Sequence, residues 1–280
     1  MKYITKESLI DTLLSVGIEK NDTLLVHSDI ASFGTTENFS RKEALNIFYE
    51  AFMEVLGSEG TLCVPAYFYE YARFGIPYDI ALSPVSKELG VFSKFINSLP
   101  ESKRSCNPLA AVAAVGKNAD YICEIKNRHN YGEDSAFNRL HKLNAKIVML
   151  GTSLNTVTFG HYVEYHVGVP HMYNKIYNIP VLNNGEVIFD WSISSVRYLN
   201  ADVSYNILNE QEIQTTSQIF AENNIMKYQQ YLQNTIYVTN TKSLYNVLAN
   251  ELMKNPYNNL AHAPNFPAGQ IPNDGPVMKK

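Results

Sequence analysis

Lys146-Ile147-Val148-Met149-Leu150-Gly151 and, after a short loop, Thr158-Phe159-Gly160-His161-Tyr162-Val163-Glu164 are the segments that decide how this chain folds. The first is a continuous apolar run closed by glycine, the pattern of a strand buried on both faces. The second places a hydroxyl, an imidazole and a carboxylate at steps of three, which on a helix brings neighbours to roughly 5–6 Å. A strand running into such a helix sets these groups at the C-terminal edge of a sheet, where α/β proteins collect their ligands. There Glu164 can orient His161 and favour its protonated form, as a general base requires, and Thr158 can donate to a developing oxyanion.

The same alternation extends outward. Thr23 to Ser28, Thr61 to Ala66 and Ala110 to Gly116 read as further buried strands, with helices expected over Arg41–Leu56, Ser86–Asn97, Asn118–Asn127 and Ser135–Lys142. Asn183-Asn184-Gly185 marks a hairpin between two apolar runs, followed by a helix near Glu210–Asn223, a strand Thr235–Thr239 and a helix Lys242–Lys254. The pattern predicts an α/β fold: a mixed, mainly parallel sheet flanked by helices, with an added β-hairpin region. At the N-terminus Thr5 reads as a helix cap, with Ile4 and Leu9 as a hydrophobic staple and Gly17 as the residue that ends the helix. No linker or repeat divides the chain, so one domain is expected over residues 1–262. Residues 263–280, rich in Pro, Asn and Gly, are expected to form a tail.

Composition excludes several function classes. A formal net charge of −4 gives no basic field for nucleic acid. No apolar run approaches the roughly 18 residues of a membrane span. Cys63, Cys106 and Cys123 have no metal-type spacing and suit a reducing compartment, so a cytoplasmic location is expected. A zinc centre built from His161, Glu164, His166 and His171 does not match the known spacings. Tyr165 stands where H-x-x-E-H needs its second histidine, and His166 lies off the His161 face. No metal is therefore expected.

The loop His27-Ser28-Asp29-Ile30-Ala31-Ser32-Phe33-Gly34 is small and polar, and reads either as a plain strand-to-helix turn or as a backbone cradle for a ligand. It contains no G-K-[ST], and no G-x-G-x-x-G occurs in the chain, which removes kinase and Rossmann readings. Tyr67, Tyr69, Tyr71 and Tyr78 cluster around Glu70 and Arg73; tyrosines offer flat apolar faces with polar tips, suited to a sugar or a base.

Taken in order, these segments resemble the aminoglycoside 3-N-acetyltransferase family. Asp22 to Ser28 is similar to its D-T-L-L-V-H-S opening, and Gly60 to Ala66 to its G-T-L-V-M-P-T. Arg104-Ser105-Cys106-Asn107-Pro108 through Gly116, the set Gly132, Ser135, Phe137 and Leu140, and Thr158, His161 and Glu164 follow in register over roughly residues 5 to 260. The resemblance implies N-acetyl transfer from acetyl-CoA to a small-molecule amine, on a fold other than the common glycine-loop N-acetyltransferase fold. It implies CoA contacts at Ser28, Asp29, Ile30, Phe33, Gly34, Ala111 and Val112. Tyr67, Tyr69, Glu70 and Asp79 are assigned to the acceptor. Asp29, Asn107 and Ala111 stand where the family has serine, histidine and serine, so the resemblance implies backbone contacts there rather than side-chain contacts. The acceptor is either an aminoglycoside or a nucleotide-linked amino sugar, and a homodimer is left open. Two other classes stay in view: a silent ligand-binding or scaffold relative, and a hydrolase, although no G-x-S-x-G elbow is present.

Overall fold

Runs of apolar residues with no polar face need cover on both sides, and the chain supplies it with helices in two layers. This computed structural model describes residues 3–197, 218–258 and 260. In chain order the elements are α1 (Lys6–Ser15), β1 (Thr23–Ser28), α2 (Arg41–Leu56), β2 (Thr61–Pro65), α3 (Glu70–Phe74), β3 (Tyr78–Asp79) and α4 (Gly90–Asn97). Then follow β4 (Lys103–Arg104), β5 (Val112–Gly116), α5 (Ala119–Cys123), α6 (Ala136–Lys142), β6 (Lys146–Leu150) and α7 (Phe159–Val167). β7 (Met172–Tyr177), β8 (Val181–Asn183), β9 (Glu186–Phe189), β10 (Ser192–Arg197), β11 (Lys227–Tyr231), β12 (Asn234–Asn240) and a closing helix α8 (Thr241–Lys254) complete the described chain.

The main sheet has the order β11-β12-β6-β1-β2-β5-β4. Its three central strands, β6, β1 and β2, are parallel neighbours, and antiparallel pairs extend it on both sides. Only β5 and β12 run against the rest, so the sheet is mixed and mainly parallel in direction, as the alternating pattern predicts. Leu24, Val26, Leu62, Val64, Val148 and Leu150 point to the layer of α1, α2 and α4; Leu25, Cys63, Ile147 and Met149 point to the layer of α5, α6, α7 and α8. That two-sided burial is why each strand reads as an unbroken apolar run.

The expected hairpin forms β8 and β9, turned by Asn184 at φ 51 and Gly185 at φ 83. Both residues in the left-handed region make the tight two-residue turn that suits strand twist. β3 joins β8 to complete a three-stranded sheet, and β7 pairs with β10 as a separate ribbon. At the N-terminus Thr5 caps α1 by accepting from Ser8 N–H at 3.3 Å, and Ile4 and Leu9 are both buried in one apolar cluster.

Several boundaries differ from the sequence expectation. The helix expected over Ser86–Asn97 is split, because Gly90 at φ 77 cannot continue a right-handed helix; a 3-10 turn Lys87–Leu89 precedes α4. The helix expected to reach Asn127 stops at Cys123, where the buried Arg139 guanidinium takes the carbonyls of Tyr121 (2.6 Å) and Glu124 (3.1 Å). The strand expected from Ala110 starts at Val112. Of the helix expected over Glu210–Asn223, only its end at residues 218–222 is described; the rest, and the tail at 263–280, lie outside the described residues.

One glycine fixes how the site edge is built. Gly151 has φ 72, and a Cβ there would lie 2.4 Å from Ser32 Oγ and 2.8 Å from Asp29 O and Phe33 Cε2. The loop after β6 therefore touches the loop after β1 only because residue 151 has no side chain. Gly151→Ala is expected to destabilise the protein by about 2–4 kcal/mol through backbone strain and overpacking. A urea melt matching that of the parent protein would refute the close approach.

Candidate active site

Because β6, β1 and β2 are parallel neighbours, their C-terminal ends open on one edge, and the loops that leave them meet there. Ser28 pairs with Leu150 in register, so the loop 29–34 and the loop 151–158 emerge side by side. β5 runs the other way, and its first residue Val112 pairs with Pro65 at the end of β2. Tyr67 and Tyr69 leave from the same end of β2. Segments distant in sequence thus gather at one edge: the CoA residues expected from the first loop, the tyrosine cluster, and Thr158, His161 and Glu164.

α7 carries His161 and Glu164, two of the residues expected from the sequence to act in catalysis. It ends at Gly168, whose left-handed backbone (φ 75) lets its N–H reach the carbonyl of Glu164 at 3.0 Å. Phe159, Tyr162 and Val163 anchor the helix in the core. Thr158 stands just outside the helix but keeps right-handed φ/ψ (−57, −25), so it continues the spiral and preserves the step-of-three face. His161 Nδ1 lies 2.8 Å from Glu164 Oε2; the histidine side chain is 40% exposed and the glutamate fully buried.

Among the described residues, Arg197 and His171 also approach the carboxylate. Arg197, the last residue of β10, donates from Nε to Oε2 at 3.0 Å and from a terminal nitrogen to Oε1 at 2.5 Å. His171 Nε2 stands 3.5 Å from Oε1, and this ring is itself fully buried. Burial alone would raise the Glu164 carboxyl, but the Arg197 charge, then the His161 hydrogen bond and the nearby His171 imidazole, hold it well below the usual carboxylate range. An ionised Glu164 can only accept, so the His161 Nδ1 is the donor in this contact. Sequence reading missed Arg197 and weighed His171 only as a metal ligand, not as a neighbour of the Glu164 carboxylate. Nothing in the local pattern marks Arg197, which reaches Glu164 from 33 residues away in the chain.

Other buried polar groups collect at this edge. Tyr67 is buried; burial and then the nearby Tyr131 and Tyr69 phenols push its phenol well above the ordinary value, so it is a neutral donor, and it faces the Thr158 hydroxyl without a hydrogen bond of good geometry. His27 is buried, with Nε2 lacking a partner among the described residues, and burial lowers it to about 4. Tyr69 packs against Tyr67 with ring centres 5.8 Å apart and planes tilted by 59°, and lies under the Arg73 guanidinium at 4.8 Å. Glu70 accepts from Ser86 Oγ at 2.7 Å, which orders the start of α3.

The remaining expected contacts are distributed unevenly. Ile30 and Phe33 are buried in the core, so they offer backbone rather than side chains, and Asp29 N–H is committed to the Leu150 carbonyl at 2.8 Å. Gly34 at φ 113 closes that turn. Ala111 and Val112 are buried, and Val112 N–H already donates to Ser105 Oγ at 2.9 Å, so its amide is not open to a ligand as expected. Asp79 also departs from the expected role. Its carboxylate accepts from the N–H groups of Ala81, Leu82, Asn184 and Gly185 at 2.7–3.1 Å, tying the hairpin turn to the segment after β3. Burial would raise this carboxyl, and those four amides lower it on balance. It is therefore engaged in structure rather than turned to an acceptor. His166 bonds the Tyr131 carbonyl at 3.1 Å, and among the described residues no group of three His, Cys, Asp or Glu side chains is arranged for a metal. Cys63, Cys106 and Cys123 are buried, and burial raises their thiols, as suits core residues. Also among the described residues, no helix is long and apolar enough to cross a membrane.

Comparison with known proteins places this geometry. The family model for aminoglycoside 3-N-acetyltransferase matches residues 25–253. Aminoglycoside N(3)-acetyltransferase IV of Salmonella sp is 30% identical over 197 residues, covering 70% of this chain and 69% of that protein. The apoenzyme structure of aminoglycoside acetyltransferase AAC(3)-IVa superposes with a TM-score of 0.74 at 25% identity, covering 94% of this chain and 93% of the other. A structure of AAC-IIIb in a binary complex with CoASH shares the fold, with a TM-score of 0.76 at 20% identity over 90% of this chain and 97% of that one. A match across nearly the whole described sheet and its helices means that this chain belongs to the aminoglycoside 3-N-acetyltransferase family and is an acyltransferase.

Proposed function

We propose that the chain transfers the acetyl group of acetyl-CoA to an amino group of an aminoglycoside, with His161 as general base and residues 1–262 acting as one domain. The observation that carries this reading is the His161 Nδ1 to Glu164 Oε2 contact of 2.8 Å, made by a side chain that is 40% exposed and uses Nδ1 rather than Nε2 for the carboxylate. An amine is mostly protonated at neutral pH and must shed a proton to attack. In the step, the amine, its ammonium proton already lost to solvent, bonds through nitrogen to the thioester carbonyl carbon, His161 Nε2 takes the proton the attacking nitrogen must then lose, and the C–S bond breaks to release CoA. The proton then passes to the thiolate. A thioester is already activated, so no covalent enzyme intermediate is required. Thr158, with the neutral Tyr67 hydroxyl beside it, supports the oxyanion of the tetrahedral intermediate. Relatives named for aminoglycosides favour that acceptor over a nucleotide-linked amino sugar.

Thiol release from acetyl-CoA, measured over a panel of aminoglycosides and nucleotide-linked amino sugars, tests the reading. Turnover with aminoglycosides supports it, turnover restricted to nucleotide-linked sugars overturns the acceptor, and release without any amine indicates a hydrolase. Thr158→Val is expected to lower kcat by about 10²-fold, the order found for removal of one oxyanion donor, with KM for acetyl-CoA little changed. Tyr67→Phe, which keeps the ring packing, is expected to cost roughly one tenth of that effect on the same scale. Full activity in both variants would remove this hydroxyl pair from the mechanism.

A further inference from the structure

Glu164 is a fully buried carboxylate held from more than one element, and the β7–β10 ribbon supplies two of its partners. Arg197 at the end of β10 is in register with Met172, the first residue of β7, and His171 directly precedes it. One end of the ribbon therefore delivers a guanidinium and an imidazole to the carboxylate that faces His161. Arg197 grips both oxygens, at 3.0 Å and 2.5 Å, and is only 11% exposed. Oε2 thus receives Arg197 Nε–H and His161 Nδ1–H together.

A buried carboxylate flanked by imidazoles alone would recruit a proton onto one of them to balance its charge. Protonation of His161 would occupy Nε2 and remove the base. A guanidinium supplies the positive charge without titrating, and its planar fork also fixes the direction of the carboxylate. Among the described residues, His171, Tyr131 and Tyr67 near the pair do not supply such a fixed charge. His171 is fully buried, so a charge there would be desolvated. Tyr131 and Tyr67, which face the site from the segment before α6 and from the end of β2, are neutral phenols whose acidity burial suppresses.

We propose that Arg197 is the positioning residue of this pair: its guanidinium fixes Glu164 with Oε2 against His161 Nδ1 and balances its charge, so that the imidazole stays neutral and keeps Nε2 for the amine's proton. This rests on His161 as the base, and the test separates the two.

The experiment uses the full chain with Arg197→Met and Arg197→Lys. The His161 ring is titrated by NMR, its signal assigned through its loss in His161→Gln, and kcat/KM is measured against pH with acetyl-CoA and sisomicin. Removing the guanidinium leaves the carboxylate charge unbalanced, which favours the imidazolium. In Arg197→Met the His161 midpoint is expected to rise by about one unit or more, and the acid limb of the profile to move to higher pH with it. Arg197→Lys restores the midpoint but leaves kcat several-fold low, because a point charge cannot reproduce the fork. An unmoved midpoint in folded Arg197→Met, or a rise at His171 in place of His161, overturns the proposal. Where Arg197→Met does not fold, Arg197→Lys decides: a lowered kcat at unchanged KM for acetyl-CoA supports it, and unchanged kcat overturns it. Near-normal turnover in His161→Ala would defeat the base reading alone, since the NMR midpoints are read without turnover.

Discussion

Alanine at position 161 is expected to lower kcat by about 10²–10⁴-fold, the usual worth of a positioned base, while KM for acetyl-CoA barely changes. The ring is 40% exposed and its one hydrogen bond among the described residues is to Glu164, so its removal takes away the proposed base without opening the core. Circular dichroism and a thermal melt close to those of the parent protein would accompany the loss. Turnover within a few-fold of the parent protein in such a folded variant would take His161 out of the reaction.

Glu164→Ala is expected to show the largest change in stability, about 3–5 kcal/mol, because it strands the Arg197 guanidinium in a buried site. Two observations set the size: Glu164 is fully buried, and Arg197 contacts both of its oxygens. The pH dependence follows from the depressed carboxyl. Its folded value lies well below the ordinary 4.5, so the stability gained from ionisation is complete above about that pH and is lost as pH falls through the lower folded value. Parent and variant stabilities, compared by urea melts, should therefore converge as pH falls below 4.5. A gap that stayed constant into acid would mean the carboxylate charge contributes nothing. Glu164→Gln separates shape from charge. With the anion gone and Arg197 retained, the His161 midpoint and the acid limb of kcat/KM shift downwards. The loss in rate should be smaller than in His161→Ala, and the double variant little worse than the histidine variant, since the pair acts as a unit.

The pair itself was legible because both residues lie on one helix, where a step of three in sequence is a step of one turn in space. Buried strands were legible for a similar reason: a strand covered on both faces must be apolar at every position, as Lys146 to Leu150 and Thr23 to Ser28 show apart from their ends. The Asn184-Gly185 turn was readable because few other residues tolerate its backbone. Boundaries were less so. The break at Gly90 and the stop at Cys123 depend on a backbone angle and on a buried arginine arriving from α6, and neither leaves a periodic trace.

Local sequence therefore determined the strands, the helix that carries His161 and Glu164, and the contact between them, because those interactions are made within a few residues. The tertiary structure alone decided three things: that Arg197 and His171 close on Glu164, that Val112 N–H and the Asp79 carboxylate are committed to neighbouring backbone and side chains, and that the loops after β1 and β6 touch across Gly151. Each depends on strand order and register, which bring together residues separated by tens of positions, and a buried charge is balanced by whatever cation the fold delivers to it.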